Sequence, residues 1–105
     1  MRVRYDKAVR DRIPEIISAS GSTCVVKQLD DDEFLPVLER KLVEEVEEYG
    51  VSGSVEELVD LVEIVYRVLE LKGVSQEDFE RMRDEKALLR GRFDSNTVLV
   101  EVGDK

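Results

Sequence analysis

Apolar positions recur every three or four residues along most of the chain, which is the spacing of one face of an α-helix. Gly50-Val51-Ser52-Gly53 breaks this pattern near the middle of the chain, and Ser54 then begins a stretch with capping-box spacing. The segments on either side are therefore expected to form a helical hairpin. In all, the spacing predicts helices over Ile13–Ala19 and over residues of about 33–49, 54–72 and 75–90.

Two segments rich in β-branched residues, 23–29 and 97–102, predict short strands that pair with each other. A chain of 105 residues has about the length of one domain. We therefore predict a single domain over residues 1–105 that is mainly α, with a helical hairpin, a third helix and a minor short-strand sheet.

The second long helix is apolar around most of its circumference and keeps only a narrow polar stripe. A helix of this kind needs neighbours on several sides, and one short chain with three long helices supplies too few of them. The pattern therefore predicts self-association, as a dimer or a larger helical bundle. The apolar positions are Leu58, Val59, Leu61, Val62, Ile64, Val65, Tyr66, Val68, Leu69 and Leu71.

The composition excludes several kinds of chemistry. The chain has no histidine and a single cysteine, Cys24, which rules out Ser-His-Asp and Cys-His catalysis, histidine-ligated metals and multi-cysteine zinc sites. A net charge of −9 is unfavourable for binding a nucleic acid polymer. Because there is no apolar stretch of membrane length and no leader-like start, we expect a cytoplasmic protein without a membrane partner.

The charges are unevenly distributed. Residues 1–12 and 81–92 each carry five basic against two acidic residues. Between these two basic segments, residues 42–66 contain no lysine or arginine. Their eight acidic residues are Glu44, Glu45, Glu47, Glu48, Glu56, Glu57, Asp60 and Glu63.

Glu45 stands where the first long helix should continue its apolar seam of Leu35, Leu38, Leu42 and Tyr49. Glu48 follows one turn later, and Glu57 and Asp60 have the same three-residue spacing on the second helix. An antiparallel hairpin brings these two pairs together. Carboxylates clustered without a nearby base require either that some of them are protonated or that a divalent cation binds among them. Because the ligands are oxygen atoms only, the expected cation is Mg²⁺ or Mn²⁺.

Four of the carboxylates also have an ordinary structural explanation, and for Glu44 and Glu47 it is that of plain surface charges. Glu57 has the position of the reciprocal partner of Ser54 in a capping box, and Asp60 belongs to the polar stripe of its helix. Lys86 and Arg90, four residues apart on the third helix, form either a clamp for phosphate groups or a solvated face.

The segments Glu44–Glu48 and Glu57–Asp60 resemble the EExxE…ExxD motif of the all-α nucleoside triphosphate pyrophosphohydrolases, the MazG-like superfamily. The run from Tyr5 to Ile17 and the segment from Lys86 to Phe93 are similar to a subgroup of that superfamily, the phosphoribosyl-ATP pyrophosphohydrolase-like house-cleaning proteins. The resemblance extends over about residues 3–100.

The resemblance implies Mg²⁺-dependent hydrolysis of a nucleotide between its α- and β-phosphates, which gives the monophosphate and pyrophosphate. It also implies a homodimer or homotetramer. Glu44 is expected either to support the metal ligands or to act as base for the attacking water. The residues assigned are Glu44 and Glu45 in catalysis, Glu45, Glu48, Glu57 and Asp60 as metal ligands, and Lys7, Arg10, Lys86 and Arg90 at the substrate phosphates.

Two other functions remain open from the sequence. The first is hydrolysis of phosphoribosyl-ATP, which uses the same chemistry on a larger substrate. The second is a non-enzymatic helical module that binds a protein partner through its apolar faces. The sequence does not decide between these, and it leaves the base, the sugar and the number of metal ions open.

Overall fold

The computed structural model describes residues 2–104, and within them the protein is mainly helical, as predicted. No strand is present in this part of the chain. The elements are α1 (Ile13–Ala19), α2 (Asp31–Ser52), α3 (Val55–Leu71) and α4 (Gln76–Arg90).

Helix α2 begins two residues before the predicted range of about 33–49 and ends three residues after it. Asp30 is its N-cap, and the Asp30 carboxylate accepts a hydrogen bond of 2.8 Å from the Glu33 amide. The prediction that Gly50 breaks the helix was wrong, because a single glycine inside a helix costs only about 1 kcal/mol. The helix instead ends at Gly53, which adopts the left-handed conformation with φ of 63° and donates its amide to Tyr49.

Helices α2 and α3 form an antiparallel hairpin joined by Gly53 and Ser54. At the open end of the hairpin, Arg67 of α3 lies 3.6 Å from Asp31 of α2. Within residues 2–104, the core lies between the helices and contains three buried hydrophobic residues, Leu38 of α2, Ile64 of α3 and Ala8 of the N-terminal segment. Phe34, Val37, Leu42, Val68 and Leu71 pack against this core.

The predicted strands are absent. Neither 23–29 nor 97–102 forms the ladder of backbone hydrogen bonds that defines a strand. Val25 and Val100 are 86 % and 87 % exposed, so these side chains gain little from burial in either segment. β-branched residues favour a strand only where a neighbouring strand and a packed face are present.

The backbone contacts divide the described residues into two compact units, 2–74 and 75–104. The first unit contains α1, α2 and α3, and the second contains α4 and the segment after it. In the second unit Ser75 caps α4 by accepting a hydrogen bond from the Asp78 amide, and Gly91 ends the helix with φ of 79°. Among the described residues, no helix combines the length and apolar character needed to cross a membrane.

Candidate metal centre

Glu45 continues the buried seam of α2, as the sequence predicted. It follows Leu38 and Leu42 on the side of the helix that faces the core, and it is only 4 % exposed. Lys41, one turn earlier, places its ammonium 3.5 Å from Glu45 Oε1. The other oxygen, Oε2, is buried and has no hydrogen-bond partner. A buried carboxylate oxygen without a partner is costly, so this atom is suited to a ligand.

Helix α3 brings two more carboxylates to Glu45. Glu57 lies in the first turn of α3 and Asp60 in the next. Glu45, Glu57 and Asp60 each contribute one oxygen to a group in which all three oxygens lie within 4.8 Å of one another. The hairpin therefore brings together three of the four predicted ligands.

Glu57 is not used to cap its own helix. The Ser54 hydroxyl accepts a hydrogen bond of 3.2 Å from the Glu56 amide, and the Ser54 amide donates to the Ser52 hydroxyl at 3.1 Å. The reciprocal contact that a capping box requires of Glu57 is thus already supplied by Ser52. This leaves the Glu57 carboxylate available to the group with Glu45 and Asp60.

The crowding of carboxylates changes the acidity of Glu57. The neighbouring Glu45 carboxylate, to which a protonated Glu57 can donate a hydrogen bond, is the main cause that raises the pKa of Glu57 to about 7, followed by burial and the negative charges of Glu48 and Glu45. Near neutral pH the metal-free protein therefore holds a proton in this group for part of the time. A proton and a divalent cation relieve the same repulsion between carboxylates.

Glu48, the fourth predicted ligand, lies beside Glu57 but is exposed, and it does not belong to the group of three. Glu44 also lies next to that group and is held by two cations. Its Oε1 is 3.2 Å from Lys7 Nζ and 3.7 Å from Lys41 Nζ. The hydrogen bond from Lys7 lowers the pKa of Glu44, so its carboxylate stays ionised at neutral pH.

Two of the predicted phosphate-binding residues lie at this site. Besides the contact between Lys7 and Glu44, Arg10 Nη2 donates a hydrogen bond of 2.6 Å to Asp60 Oδ1. This bond raises the pKa of the Arg10 guanidinium. The N-terminal segment thus places one cation on a carboxylate of α2 and another on a carboxylate of α3.

The other two predicted phosphate-binding residues, Lys86 and Arg90, lie on α4 in the second unit. Both side chains are exposed, and they stand one turn apart on the helix. Their assignment to phosphate stays a prediction.

Sequence reasoning missed two basic residues of α2, Lys41 and Arg40. The contact between Lys41 and Glu45 could have been found, because the two residues have the i, i+4 spacing of a helical ion pair. Arg40 lines a surface groove of about 830 Å³ together with Lys7, Glu44, Glu48 and Glu57. A groove with both cations and carboxylates has the chemistry to hold a phosphate group together with its metal ion.

The donor set fits a hard divalent cation. Glu45, Glu57 and Asp60 offer oxygen ligands only, and their oxygens are already clustered. Mg²⁺ and Mn²⁺ accept such ligands and complete their shells with water or with phosphate oxygens. A cation bound to this group would give the unpartnered Glu45 Oε2 a partner.

Comparisons with known proteins assign no activity. A stretch of 46 residues is 60 % identical to a protein of Mycolicibacterium smegmatis named only as uncharacterized, and it covers 44 % of this chain and 47 % of that protein. The chain thus matches about half the length of this relative. No family model matches the chain, and no solved structure matches it.

Proposed function

We propose that this protein is a metal-dependent hydrolase that cleaves a nucleoside triphosphate between its α- and β-phosphates. The products are the nucleoside monophosphate and pyrophosphate. The observation that carries the proposal is Glu45, a buried carboxylate with an unpartnered oxygen, in a group with Glu57 and Asp60. The sequence motif that resembles the MazG-like superfamily supports it as well.

Electrostatics supports a cation at this group. Two unit negative charges 4.8 Å apart repel by roughly 3 kcal/mol at an effective dielectric constant near 20. Such a repulsion is a large part of the ~5–15 kcal/mol by which a small domain is stable. A bound Mg²⁺ or Mn²⁺ ion would supply positive charge for the phosphates and a water molecule of lowered pKa. Glu45, Glu57 and Asp60 would hold it, with Glu48 next to them.

The basic residues around the group suit a polyphosphate. Lys7 is about half exposed beside Glu44, and Arg10 is about half exposed beside Asp60, so both cations can reach a phosphate oxygen from the surface. A cation placed there stabilises the charge that develops on departing pyrophosphate. Glu44 is a weak proton acceptor because its pKa is lowered, so we assign it to holding Lys7 rather than to activating water.

Self-association belongs to the same proposal. Val59 and Val62 of α3 are 59 % and 49 % exposed, although α3 is the most apolar of the three long helices. We propose that a second copy of the chain covers them, in a homodimer or homotetramer. Sedimentation equilibrium tests this: Val62→Asp should yield monomers, whereas Val51→Asp, at a position 92 % exposed, should leave the assembly intact.

The activity is tested by measuring pyrophosphate and phosphate release from standard and modified nucleoside triphosphates, with phosphoribosyl-ATP in the same panel. Each substrate is incubated with Mg²⁺, with Mn²⁺ and with EDTA. Pyrophosphate release that requires the metal establishes the cleavage and ranks the substrates. If phosphoribosyl-ATP alone is cleaved, the protein is a phosphoribosyl-ATP pyrophosphohydrolase.

A non-enzymatic helical module predicts a different result. It would release no pyrophosphate from any substrate, and its thermal unfolding would be the same in Mg²⁺ and in EDTA. A metal site instead raises the unfolding temperature when the cation binds, because only the folded state holds the three carboxylates together.

A further inference from the structure

The N-terminal segment Lys7–Arg10, which we call the cationic segment, joins the two helices of the metal centre. Lys7 Nζ lies 3.2 Å from Glu44 Oε1 of α2, and Arg10 Nη2 lies 2.6 Å from Asp60 Oδ1 of α3. Between these two contacts, Ala8 is 7 % exposed and packs with Leu38 and Ile64 in the core. The segment is therefore anchored where it passes the carboxylates.

Arg10 and a divalent cation have the same partner. Asp60 is one of the three carboxylates whose oxygens cluster within 4.8 Å, and it is also the residue that Arg10 binds. A cation held by Glu45, Glu57 and Asp60 would stand close to the guanidinium and repel it. The two positive groups therefore compete for Asp60, and the Arg10 side chain, 54 % exposed, is free to swing toward the surface.

We propose that Arg10 is a built-in counterion of the metal centre, which holds Asp60 while the centre is metal-free and moves to a substrate phosphate once a divalent cation takes Asp60. This inference rests on the proposed function and adds a regulation of the same site. Its consequence is that Arg10 opposes binding of the cation alone and favours binding of the cation together with a polyphosphate. The two ligands are then positively coupled.

Metal binding in the absence of nucleotide tests whether Arg10 opposes binding of the cation. The affinity for Mn²⁺ alone is measured by electron paramagnetic resonance of the free ion, for the wild type, Arg10→Gln and Arg12→Gln. Losing an ion pair of this exposure should tighten Mn²⁺ binding by about fivefold in Arg10→Gln. Arg12→Gln removes the same charge two residues away, where Arg12 binds Glu15 instead of a site carboxylate, and should change the affinity by less than about twofold.

Binding of pyrophosphate tests whether Arg10 moves to a phosphate once the cation is bound. The affinity for inorganic pyrophosphate is measured calorimetrically at saturating Mg²⁺. Arg10→Gln should weaken it by about fivefold, since a charged hydrogen bond to phosphate is lost. Arg12→Gln should again resemble the wild type. Arg10→Lys keeps the positive charge, so its affinities for Mn²⁺ and for pyrophosphate should both stay close to those of the wild type. A difference between Arg10→Lys and the wild type would measure the contribution of the guanidinium shape.

The outcomes separate this inference from the proposed function. Wild-type protein that binds no Mn²⁺ overturns the proposed function and the inference with it. Wild-type protein that binds Mn²⁺ while Arg10→Gln binds it equally or more weakly overturns the inference alone. Unchanged pyrophosphate affinity in Arg10→Gln overturns the transfer of Arg10 to phosphate. Far-UV circular dichroism and thermal unfolding in EDTA establish that each variant is folded.

Discussion

The α2–α3 hairpin and helix α4 are both rich in charged residues, but Asp60 of the hairpin is neutralised differently from the paired carboxylates of α4. In α4, Asp78 is paired with Arg81 and Glu80 with Arg83, each three residues apart at 2.6 Å. In the hairpin, the partner of Asp60 is Arg10, fifty residues away in the sequence. Local pairs of exposed residues need nothing further, whereas carboxylates that depend on a distant segment can exchange their partner for a ligand.

Burial is the second difference between the two regions. Helix α4 has no buried residue, while the hairpin buries Glu45 and leaves one of its oxygens unpartnered. An acidic helix is common and usually only solvated. The feature that distinguishes a candidate site from an ordinary acidic helix is therefore a carboxylate that is buried at a cost in stability.

The largest effect is expected from Glu45→Gln. This variant keeps the shape of the side chain but removes the charge at the centre of the group, so metal affinity and pyrophosphate release should fall by at least about 100-fold. Glu39→Gln, an exposed position on the same helix, is the matched control and should stay within about twofold of the wild type. Equal loss in both variants, or in neither, would contradict the assigned centre.

The next largest effect is the loss of stability when an apolar side chain is truncated, which should differ between the hairpin and α4. Leu38 is 6 % exposed in the hairpin core, so Leu38→Ala should lower the free energy of unfolding by about 2–4 kcal/mol. Leu88 of α4 is 88 % exposed, and Leu88→Ala should change it by about 0.5 kcal/mol or less. Chemical denaturation measures both. A large loss at Leu88 would show that the exposed face of α4 is covered in the assembled protein.

The buried glutamate itself should prove destabilising. Glu45 lies with Glu57 and Asp60 in a group of carboxylates that repel one another, and its buried Oε2 has no partner. An incompletely paired buried polar group costs roughly 1–3 kcal/mol, so Glu45→Leu should raise the unfolding free energy in EDTA by about that amount, while Lys41 keeps Glu44 as a partner. Asp78→Leu in α4 should not raise the unfolding free energy, because the Asp78 side chain is about half exposed and its charge is therefore not buried at a cost. Stabilisation at Glu45 together with loss of metal binding would indicate that the site is maintained for function. A destabilised Glu45→Leu would show that the contact with Lys41 outweighs the burial.

The sequence predicted those features of the site that depend on local spacing. Ser54 caps α3 as expected, and the seam of α2 placed Glu45 in the core. The predicted strands failed because strand formation depends on a partner that local propensity cannot supply. The contact between Arg10 and Asp60 was equally inaccessible, since no periodic pattern relates residues fifty apart.

The smallest effect is a pH dependence that belongs to the hairpin alone. The pKa of Glu57 is about 7 in the folded protein and its ordinary value is 4.5, so between these values the folded state binds a proton that the unfolded state has released. This contribution to stability is fully present below pH 4.5, declines as pH rises and is lost above about pH 7.

Thermal unfolding across this range in EDTA should show the decline in the wild type and a flatter profile in Glu57→Gln. Saturating Mg²⁺ should restore wild-type stability above pH 7, because the cation binds the ionised carboxylate. If stability still declines with pH in Glu57→Gln, the decline originates in another carboxylate. If the decline is absent from Glu57→Gln alone, the proton and the metal ion bind at the same residue of α3, Glu57.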